Sequence, residues 1–422
     1  MPAPPVRFPA RLWRALGPGL VTGAADDDPS GIATYSQAGA QFGYALTWTM
    51  LLTLPFMAAI QIISACIGWR TRRGLAHNIA LRMPAPLLYF LVALLLVANT
   101  INIAADLAAM GEALQLVAGG PAVAYALAFG VACLVAEVLV PYHRYAAVLK
   151  LMTLVLLFYV ACAFTVRVPW SEVAAATFVP TVSLDRDFLL TIVAVFGTTI
   201  SPYLFFWQAS QEAEDSRLSH RYRNDGHGKP VKGYFQRISA DTWLGMSFSN
   251  LVAFFIIVTT AATLHASGVT RIDTAAQAAE ALRPVAGEFT FALFALGIIG
   301  TGLLAVPVLA GSAGYAVAET FGFRGSLELT ASRALGFYGI VGAATLGGAM
   351  LATTRIDPIT MLFWTAVING IVSVPIIGAI MFLISRKKKP LFAAPAWLKL
   401  LGWLALVLMT LAVVALGWTS LA

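Results

Sequence analysis

Residues 25–32 read ADDDPSGI, three consecutive carboxylates followed by a proline and a glycine inside an otherwise apolar segment. Each Asp at the middle of a bilayer costs roughly 2.5–3.5 kcal/mol on insertion scales. Pro29 and Gly31 weaken the hydrogen-bond ladder that a helix needs in lipid. Adjacent carboxylates also repel one another unless a cation is present. The triplet therefore predicts a divalent-cation site within the membrane, with Asp28, next to the break, as the best direct or water-mediated ligand.

The three carboxylates are expected to differ in role, because consecutive residues of a helix point about 100° apart. We expect Asp27 to line the water-filled path to the ion. Asp26 stays open between two roles, lining the cavity or capping a helix end.

The elements that must position these residues are membrane spans. Of the 422 residues, 59% are hydrophobic and 11% are charged, whereas soluble domains have about 25% charged residues. The start of the chain lacks the pattern of a cleavable leader, so the first apolar run is expected to remain as a span. The sequence predicts one transmembrane domain over residues 1–422, an all-α integral membrane protein. Its eleven expected spans are residues 15–42, 45–68, 85–117, 121–140, 146–166, 188–212, 241–264, 289–319, 334–354, 359–384 and 397–419.

The basic residues predict the orientation of the chain. If the N-terminus is cytoplasmic, 22 of the 27 Lys and Arg residues lie on the cytoplasmic side. The remaining five are Arg167, Arg186, Arg271, Arg283 and Arg355. By the positive-inside rule, we expect a cytoplasmic N-terminus and an extracytoplasmic C-terminus. The net charge of +7 is thus explained by topology, and no nucleic-acid partner is expected.

A second interruption lies at the centre of the sixth predicted span, in GTTISP at residues 197–202. Pro202 removes a backbone hydrogen bond, and its neighbours are small and polar. Two spans broken at their centres and five helices apart indicate a five-plus-five inverted repeat. The repeats would cover residues 15–166 and 188–384, followed by an extra helix at 397–419. Unwound carbonyls and half-helix ends would then meet near the bilayer midplane, where an ion can be held.

Three segments resemble a known family. GPGLVTGAADDDPSGIATYSQAGAQFGY (17–44) resembles the first helix of the NRAMP metal transporters, whose motif is Asp-Pro-Gly-Asn. GTTISPYLFFWQ (197–208) resembles their sixth helix, which carries Ala-x-x-Met-Pro-His, and AADLAAMGEALQL (104–116) is similar to their third. The resemblance covers nearly the whole chain. It implies a LeuT-like fold of eleven helices with helices one and six broken, and transport of divalent metal ions.

The resemblance also implies which residues meet the metal, and where this chain departs from the family. Asp28 matches the metal-binding Asp, and Thr198 falls on the Ala whose carbonyl binds metal. Gly31 replaces the family's Asn, and Ser201 replaces its metal-binding Met. The expected metal residues are Asp28, Asp27, Gly31, Thr198 and Ser201.

Together, these departures change the expected metal ligands in one way, from soft to hard. Loss of the thioether removes a soft ligand that favours Mn or Fe, and the smaller side chains at 31 and 201 should leave a roomier, all-oxygen site. Such a site suits a partly hydrated Mg²⁺, which keeps several waters and binds one or two carboxylates. The pattern is similar to the NRAMP-related magnesium transporter branch. The ion is then the substrate, and no cofactor is expected.

The resemblance bears on proton coupling as well. Asp106 matches a third-helix acid linked to proton release, but the partner Glu of the family falls on Ala109, and its sixth-helix His falls on Tyr203. Glu112 does not replace the partner, because six positions from Asp106 it points about 240° around the helix. The sequence therefore predicts transport without proton coupling.

Further residues are candidates with competing interpretations. Asn369 lies near the expected cavity or bonds a backbone carbonyl, and Gln208 faces the inner vestibule or packs between helices. Glu137 and Glu319 are expected at the cytoplasmic interface, and His220 and His227 in a solvated loop. The three cysteines, Cys66, Cys133 and Cys162, are interpreted as packing residues. The candidate cavity-lining residues are Asp26, Thr199, Tyr203, Gln208, Asn369 and Asp106.

Other functions fit the sequence less well. An intramembrane aspartyl protease needs a Gly-x-Gly-Asp signature, which is missing. An amino-acid symporter of the same fold presents glycine amides to a carboxylate, which an Asp triplet would repel. A channel does not call for paired broken helices. The nearest alternative is a proton-coupled Mn²⁺ or Fe²⁺ transporter of the ordinary NRAMP type. The expected partners are divalent ions and the lipid bilayer, and the oligomeric state stays open, with a monomer as one option.

Overall fold

The computed structural model describes residues 18–140, 154–224, 233–327, 329–354, 356–386 and 391–421, which form helices joined by turns and loops and contain no strand. In chain order, the helices that we number are α1 (Pro18–Asp26), α2 (Pro29–Phe42), α3 (Trp48–Thr71), α4 (Leu75–Ala80), α5 (Ala85–Ala118), α6 (Ala122–Leu139), α7 (Leu157–Thr165), α8 (Trp170–Phe178), α9 (Arg186–Thr199), α10 (Pro202–Asn224), α11 (Tyr234–Thr263), α12 (Ala275–Glu280), α13 (Arg283–Ala286), α14 (Thr290–Phe321), α15 (Leu335–Leu351), α16 (Pro358–Ser385) and α17 (Ala396–Leu421).

The all-α membrane fold is confirmed, whereas the number of spans stays a prediction. Within the described ranges, eight helical segments are long and apolar enough to cross a membrane. A ninth is counted if the pair Leu154–Thr165 and Trp170–Phe178, bent by 118°, is a single span. The first predicted span falls outside this count because it is split into half-helices of 9 and 14 residues. Residues 146–153 of the fifth predicted span lie outside the described residues.

The first span breaks where the sequence predicts. Asp27 and Asp28 separate α1 from α2. Pro29 is suited to the first turn of α2, because the missing N–H has no helical partner there. The Asp28 carboxylate caps α2, with Oδ1 accepting the Gly31 N–H at 2.7 Å. The capping role considered for Asp26 therefore belongs to Asp28.

The second break, between α9 and α10, is also confirmed. Ile200 and Ser201 are non-helical, and Pro202 begins α10. The Ser201 hydroxyl lies 2.8 Å from the Gly197 carbonyl and 2.7 Å from the Thr198 carbonyl, and donates to them. Backbone groups freed inside a membrane must find partners, and this serine supplies one at the end of α9.

Glycines bring the broken helices close to their neighbours. A Cβ on Gly23 of α1 would overlap the backbone of Gly245 in α11. Likewise, a Cβ on Gly197 of α9 would lie 2.7 Å from Cα of Gly370 in α16. Because real Cβ atoms do not approach that closely, both contacts require glycine. They hold the half-helices α1 and α9 against intact neighbouring helices.

The polar insert at 212–237 differs from the expected loop. Helix α10 continues to Asn224 and α11 begins at Tyr234, so most of the insert is helical. The His220 side chain and His227 lie outside the described residues, as do Arg144, Lys150, Arg355 and the three lysines at 387–389. Glu137 is buried rather than interfacial, at 3% exposure, whereas Glu319 is partly buried and accepts the N–H groups of Gly74 and His77.

Candidate functional site

At the first break, one amide connects two acidic side chains. Asn102 on α5 donates through Nδ2 to Asp28 Oδ2 and to Asp106 Oδ2, both at 3.1 Å. Its Oδ1 accepts the Nδ2–H of Asn369 on α16 at 3.0 Å. Asp28, Asp106 and both asparagines are 0–2% exposed. A carboxamide has two N–H donors, so Asn102 uses them to hold one carboxylate of the break and one of α5.

The other two carboxylates of the triplet contact a different helix. Asp26 Oδ2 and Asp27 Oδ1 accept from the hydroxyl of Ser249 on α11, at 2.7 and 3.0 Å. Both residues are fully buried. The triplet is therefore divided, with Asp28 facing Asn102 of α5 and the Asp26–Asp27 pair facing Ser249 of α11.

The remaining expected ligands lie together where the two breaks approach each other. A Cβ on Gly31 would lie 3.2 Å from Thr198 Oγ1 and 3.2 Å from the Asp26 carbonyl oxygen. Thr198 and Ser201 are each 2% exposed. Oxygens line this region, and they lie so close to Gly31 that an added Cβ would be tightly packed against them. The Thr198 carbonyl already accepts from Ser201, which leaves one of its lone pairs free.

Three candidate cavity-lining residues bond elsewhere. The Thr199 hydroxyl donates to the Val195 carbonyl of its own helix at 2.9 Å. Gln208 donates to Thr242 Oγ1 on α11 at 2.9 Å, which agrees with a helix-packing role. Tyr203 donates to the Ala25 carbonyl at 2.9 Å and so joins the start of α10 to the end of α1.

Among the described residues, no Lys, Arg or His forms an ion pair with Asp26, Asp27, Asp28 or Asp106. In the described part of the chain, the salt bridges of Lys, Arg and His involve other acids. Asp26 Oδ1, Asp27 Oδ2 and Asp106 Oδ1 are buried and have no hydrogen-bond partner within the described ranges. An isolated buried charge is costly unless it is paired or holds a metal. The arrangement can therefore bind a cation.

The described residues contain no group of three or more His, Cys, Asp and Glu arranged around one metal position. An ion beside Asp28 would thus have at most two carboxylates, with hydroxyl, carbonyl or water oxygens as its other ligands. Hard cations such as Mg²⁺ accept such a ligand set.

A cavity of about 390 Å³ lies beside α2, and its lining does not include Asp28, Gly31, Thr198 or Ser201. It is lined by α2, the first turns of α9 and α16, and residues 270–273. Ala33 and Gln37 of α2 face it, together with Asp187 of α9 and Phe363 of α16. The opposite end of the molecule is held by the ion pair of Arg237 with Glu212, which joins α11 to α10.

Asn102 and Ser249 were not predicted from the sequence. A signal existed for Asn102, since it lies one helical turn before Asp106 on a predominantly apolar span. Ser249 had no comparable signal, because a serine in a membrane helix usually bonds its own backbone.

Comparison with known proteins agrees with this architecture. The chain is 29% identical over 315 residues to the divalent metal cation transporter MntH of Yersinia enterocolitica, covering 72% of each chain. It is 26% identical over 412 residues to MntH of Klebsiella pneumoniae, covering 96% of this chain and 92% of the relative.

Solved structures show the same fold. The Eremococcus coleocola manganese transporter superposes with a TM-score of 0.71 at 16% identity, covering 98% of this chain and 87% of that one. Mhp1, a nucleobase-cation-symport-1 family transporter, gives a TM-score of 0.58 at 13% identity, covering 96% and 93%. The LeuT-like fold class is thereby confirmed. The model of the Nramp family (natural resistance-associated macrophage protein-like) matches residues 19–419. The chain therefore belongs to the Nramp family of membrane transport proteins.

Proposed function

We propose that this chain carries divalent cations, chiefly Mg²⁺, across a bacterial inner membrane by alternating access. The observation that carries the proposal is the buried pair of Asp28 and Asp106, joined by Asn102 beside the two helix breaks. Asp28 is the central ligand of the transported ion. The region beside Asp28, where the two helix breaks approach each other, is bordered by Gly31, Thr198 and Ser201. Asp27 lies next to this region, on the water-filled path to the ion.

Preference for Mg²⁺ follows from the chemistry of the donors. Ser201 stands where the family's metal-binding methionine would be, so the site offers oxygens only. Mg²⁺ loses water reluctantly and is held by few carboxylates with several waters retained. Mn²⁺ gains more from a soft ligand than Mg²⁺ does, and that ligand is missing at position 201.

Transport without proton coupling follows from two residues. Tyr203 donates to the Ala25 carbonyl, and a phenol does not exchange its proton near neutral pH as an imidazole does. Ala109 carries no acid, and it faces a small apolar space with Ile32 and Phe294. Asp106 therefore lacks an acidic partner one turn along α5.

A proton-coupled Mn²⁺ transporter is the second candidate. It is favoured by the relatives, which bear the names divalent metal cation transporter and manganese transporter. Oxygen ligands also bind Mn²⁺, so uptake of both ions is compatible with the site.

The proposed orientation places the N-terminus in the cytoplasm and the C-terminus outside. The cavity at α2 then opens outward, and the Arg237–Glu212 ion pair closes the inner end. A monomer contains both breaks and is sufficient for the proposed cycle.

The test is ion uptake into proteoliposomes that contain a pH-sensitive dye. We expect Mg²⁺ influx that follows its own gradient and the membrane potential, with no accompanying acidification. Internal acidification that scales with metal uptake, after correction for leak, would favour the second candidate. Uptake of Mn²⁺ without Mg²⁺ would refute the Mg²⁺ proposal.

A further inference from the structure

Asp26, Asp27 and Ser249 form a buried group that the Asp28 site does not use. All three residues are 0% exposed, and both carboxylates accept from the one Ser249 hydroxyl. A hydroxyl has a single proton to donate, so at any moment it satisfies only one of them. The second oxygens, Asp26 Oδ1 and Asp27 Oδ2, are buried and find no hydrogen-bond partner in the part of the chain that the structure describes.

The helix packing brings this group together. Gly23 of α1 meets the backbone of Gly245 in α11 at a contact too close for any side chain. Asp26 follows Gly23 by three residues and Ser249 follows Gly245 by four, so each pair shares a helix face. The glycine contact therefore fixes the carboxylates against the serine one turn further along.

Charge balance distinguishes this group from the Asp28 site. One divalent ion at Asp28 and Asp106 balances two carboxylates and leaves the other two uncompensated. No described salt bridge supplies a cation to them, and paired or metal-bound carboxylates are the usual way to bury such charge. Asp26 and Asp27 together match the charge of one further divalent ion.

We propose that Asp26, Asp27 and Ser249 form a second binding site for a hard divalent cation, occupied at the same time as the Asp28 site. The unpartnered oxygens of the two carboxylates and a lone pair of the hydroxyl supply the protein ligands, and waters complete the shell. This inference rests on the proposed transport of divalent ions. The bound ions lie on opposite sides of the first break, one toward α5 and one toward α11.

The number of bound ions tests the inference. Equilibrium dialysis of the full-length chain in nanodiscs against Mg²⁺ should give two ions per chain. The double variant Asp26→Asn with Ser249→Ala should retain one, and Asp28→Asn should also retain one. Ser64→Ala is the matched control, because this buried serine bonds only the Ile60 carbonyl of its own helix, and it should retain two.

A second readout uses Mn²⁺ as a paramagnetic probe. Two ions held on either side of one break should broaden each other's electron paramagnetic resonance lines. The single variant Ser249→Ala should weaken one of the two sites by about tenfold or more, the effect of losing a bond to a charged group. At a Mn²⁺ concentration that only just fills both native sites, the broadening should therefore be strongly reduced.

The outcomes separate the two proposals. One Mg²⁺ per native chain, lost in Asp28→Asn and kept in the double variant, would overturn the second site and leave the proposed function intact. Two ions in the double variant would also overturn it. Absence of any bound Mg²⁺ in the native chain would refute the proposed function itself.

Discussion

Removal of the Arg237 guanidinium should loosen the inner end of α10. The Glu212 side chain, its partner, is completely buried, whereas the Arg237 side chain is 33% exposed. The same guanidinium lies over the ring of Trp69 in α3, 4.8 Å from its centroid. Arg237 therefore connects α10, α11 and α3 at the end of the molecule that we assign to the cytoplasm.

The expected magnitude follows from burial. Removing one partner of a buried ion pair costs about 3–5 kcal/mol, because the other charge stays buried alone. Water screens the exposed third of Arg237, so we take about 2–3 kcal/mol for Arg237→Ala. Opening of the inner side would hydrate Glu212 and relieve this cost. The equilibrium should then shift toward the inward-open state by roughly 30- to 150-fold.

Cys66 can report the shift. This thiol on α3 is free and buried, and it interacts electrostatically with Glu212 and Arg237. With Cys133 and Cys162 replaced by alanine, a membrane-impermeant thiol reagent on the cytoplasmic side should label Cys66 faster in Arg237→Ala. The increase in labelling rate should approach the population shift when opening and closing are fast compared with the labelling reaction.

Two further variants test whether the faster labelling comes from the unpaired charge of Glu212. Arg73→Ala removes an exposed arginine near the same end of α3 and should label at the native rate. Adding Glu212→Gln to Arg237→Ala removes the unpaired charge and should bring labelling back toward the native rate. Native labelling in Arg237→Ala, or no reduction on adding Glu212→Gln, would refute the argument.

Substitutions at the site should act in graded ways. Asp28→Ala should remove most Mg²⁺ uptake into proteoliposomes, whereas Thr199→Ala, whose hydroxyl bonds only its own helix, should keep it near native. Ser201→Met should raise Mn²⁺ uptake relative to Mg²⁺ in competition, because a thioether is a softer ligand; an unchanged ratio would remove Ser201 from the site. Asn102→Leu should weaken Mg²⁺ binding in dialysis by about tenfold or more, since two carboxylates each lose a donor, and native affinity would contradict the bridge.

The breaks were predictable because their causes are local. Proline and small polar residues interrupt a helix through the backbone itself, so Asp28-Pro29 and Ser201-Pro202 could be identified from short stretches of sequence. Helix ends also agree within a few residues over most of the chain. The exception is the polar insert after residue 212, where a polar composition suggested a loop.

The partners within the site were not predictable in the same way. Whether Asp27 faces Asn102 or Ser249 depends on which helices pack against α1, and helical periodicity alone does not give that arrangement. Helix α10 stays helical beyond Glu212 because its acids find partners on other helices, such as Tyr315 for Glu214. Thr199 and Gln208 show the same difficulty, because a polar side chain on a membrane helix can bond its own helix or a neighbour instead of facing a cavity.

The bond from Tyr203 to the Ala25 carbonyl has a mechanical consequence. It joins the start of α10, just after the second break, to the last turn of α1, just before the first break. The half-helices α1 and α10 are therefore expected to move together as one rigid unit. Ligands contributed by either half-helix would then keep their spacing while access changes from one side to the other. Such a transporter moves its entrance around the ion, and the ion does not have to be released and recaptured halfway through the cycle.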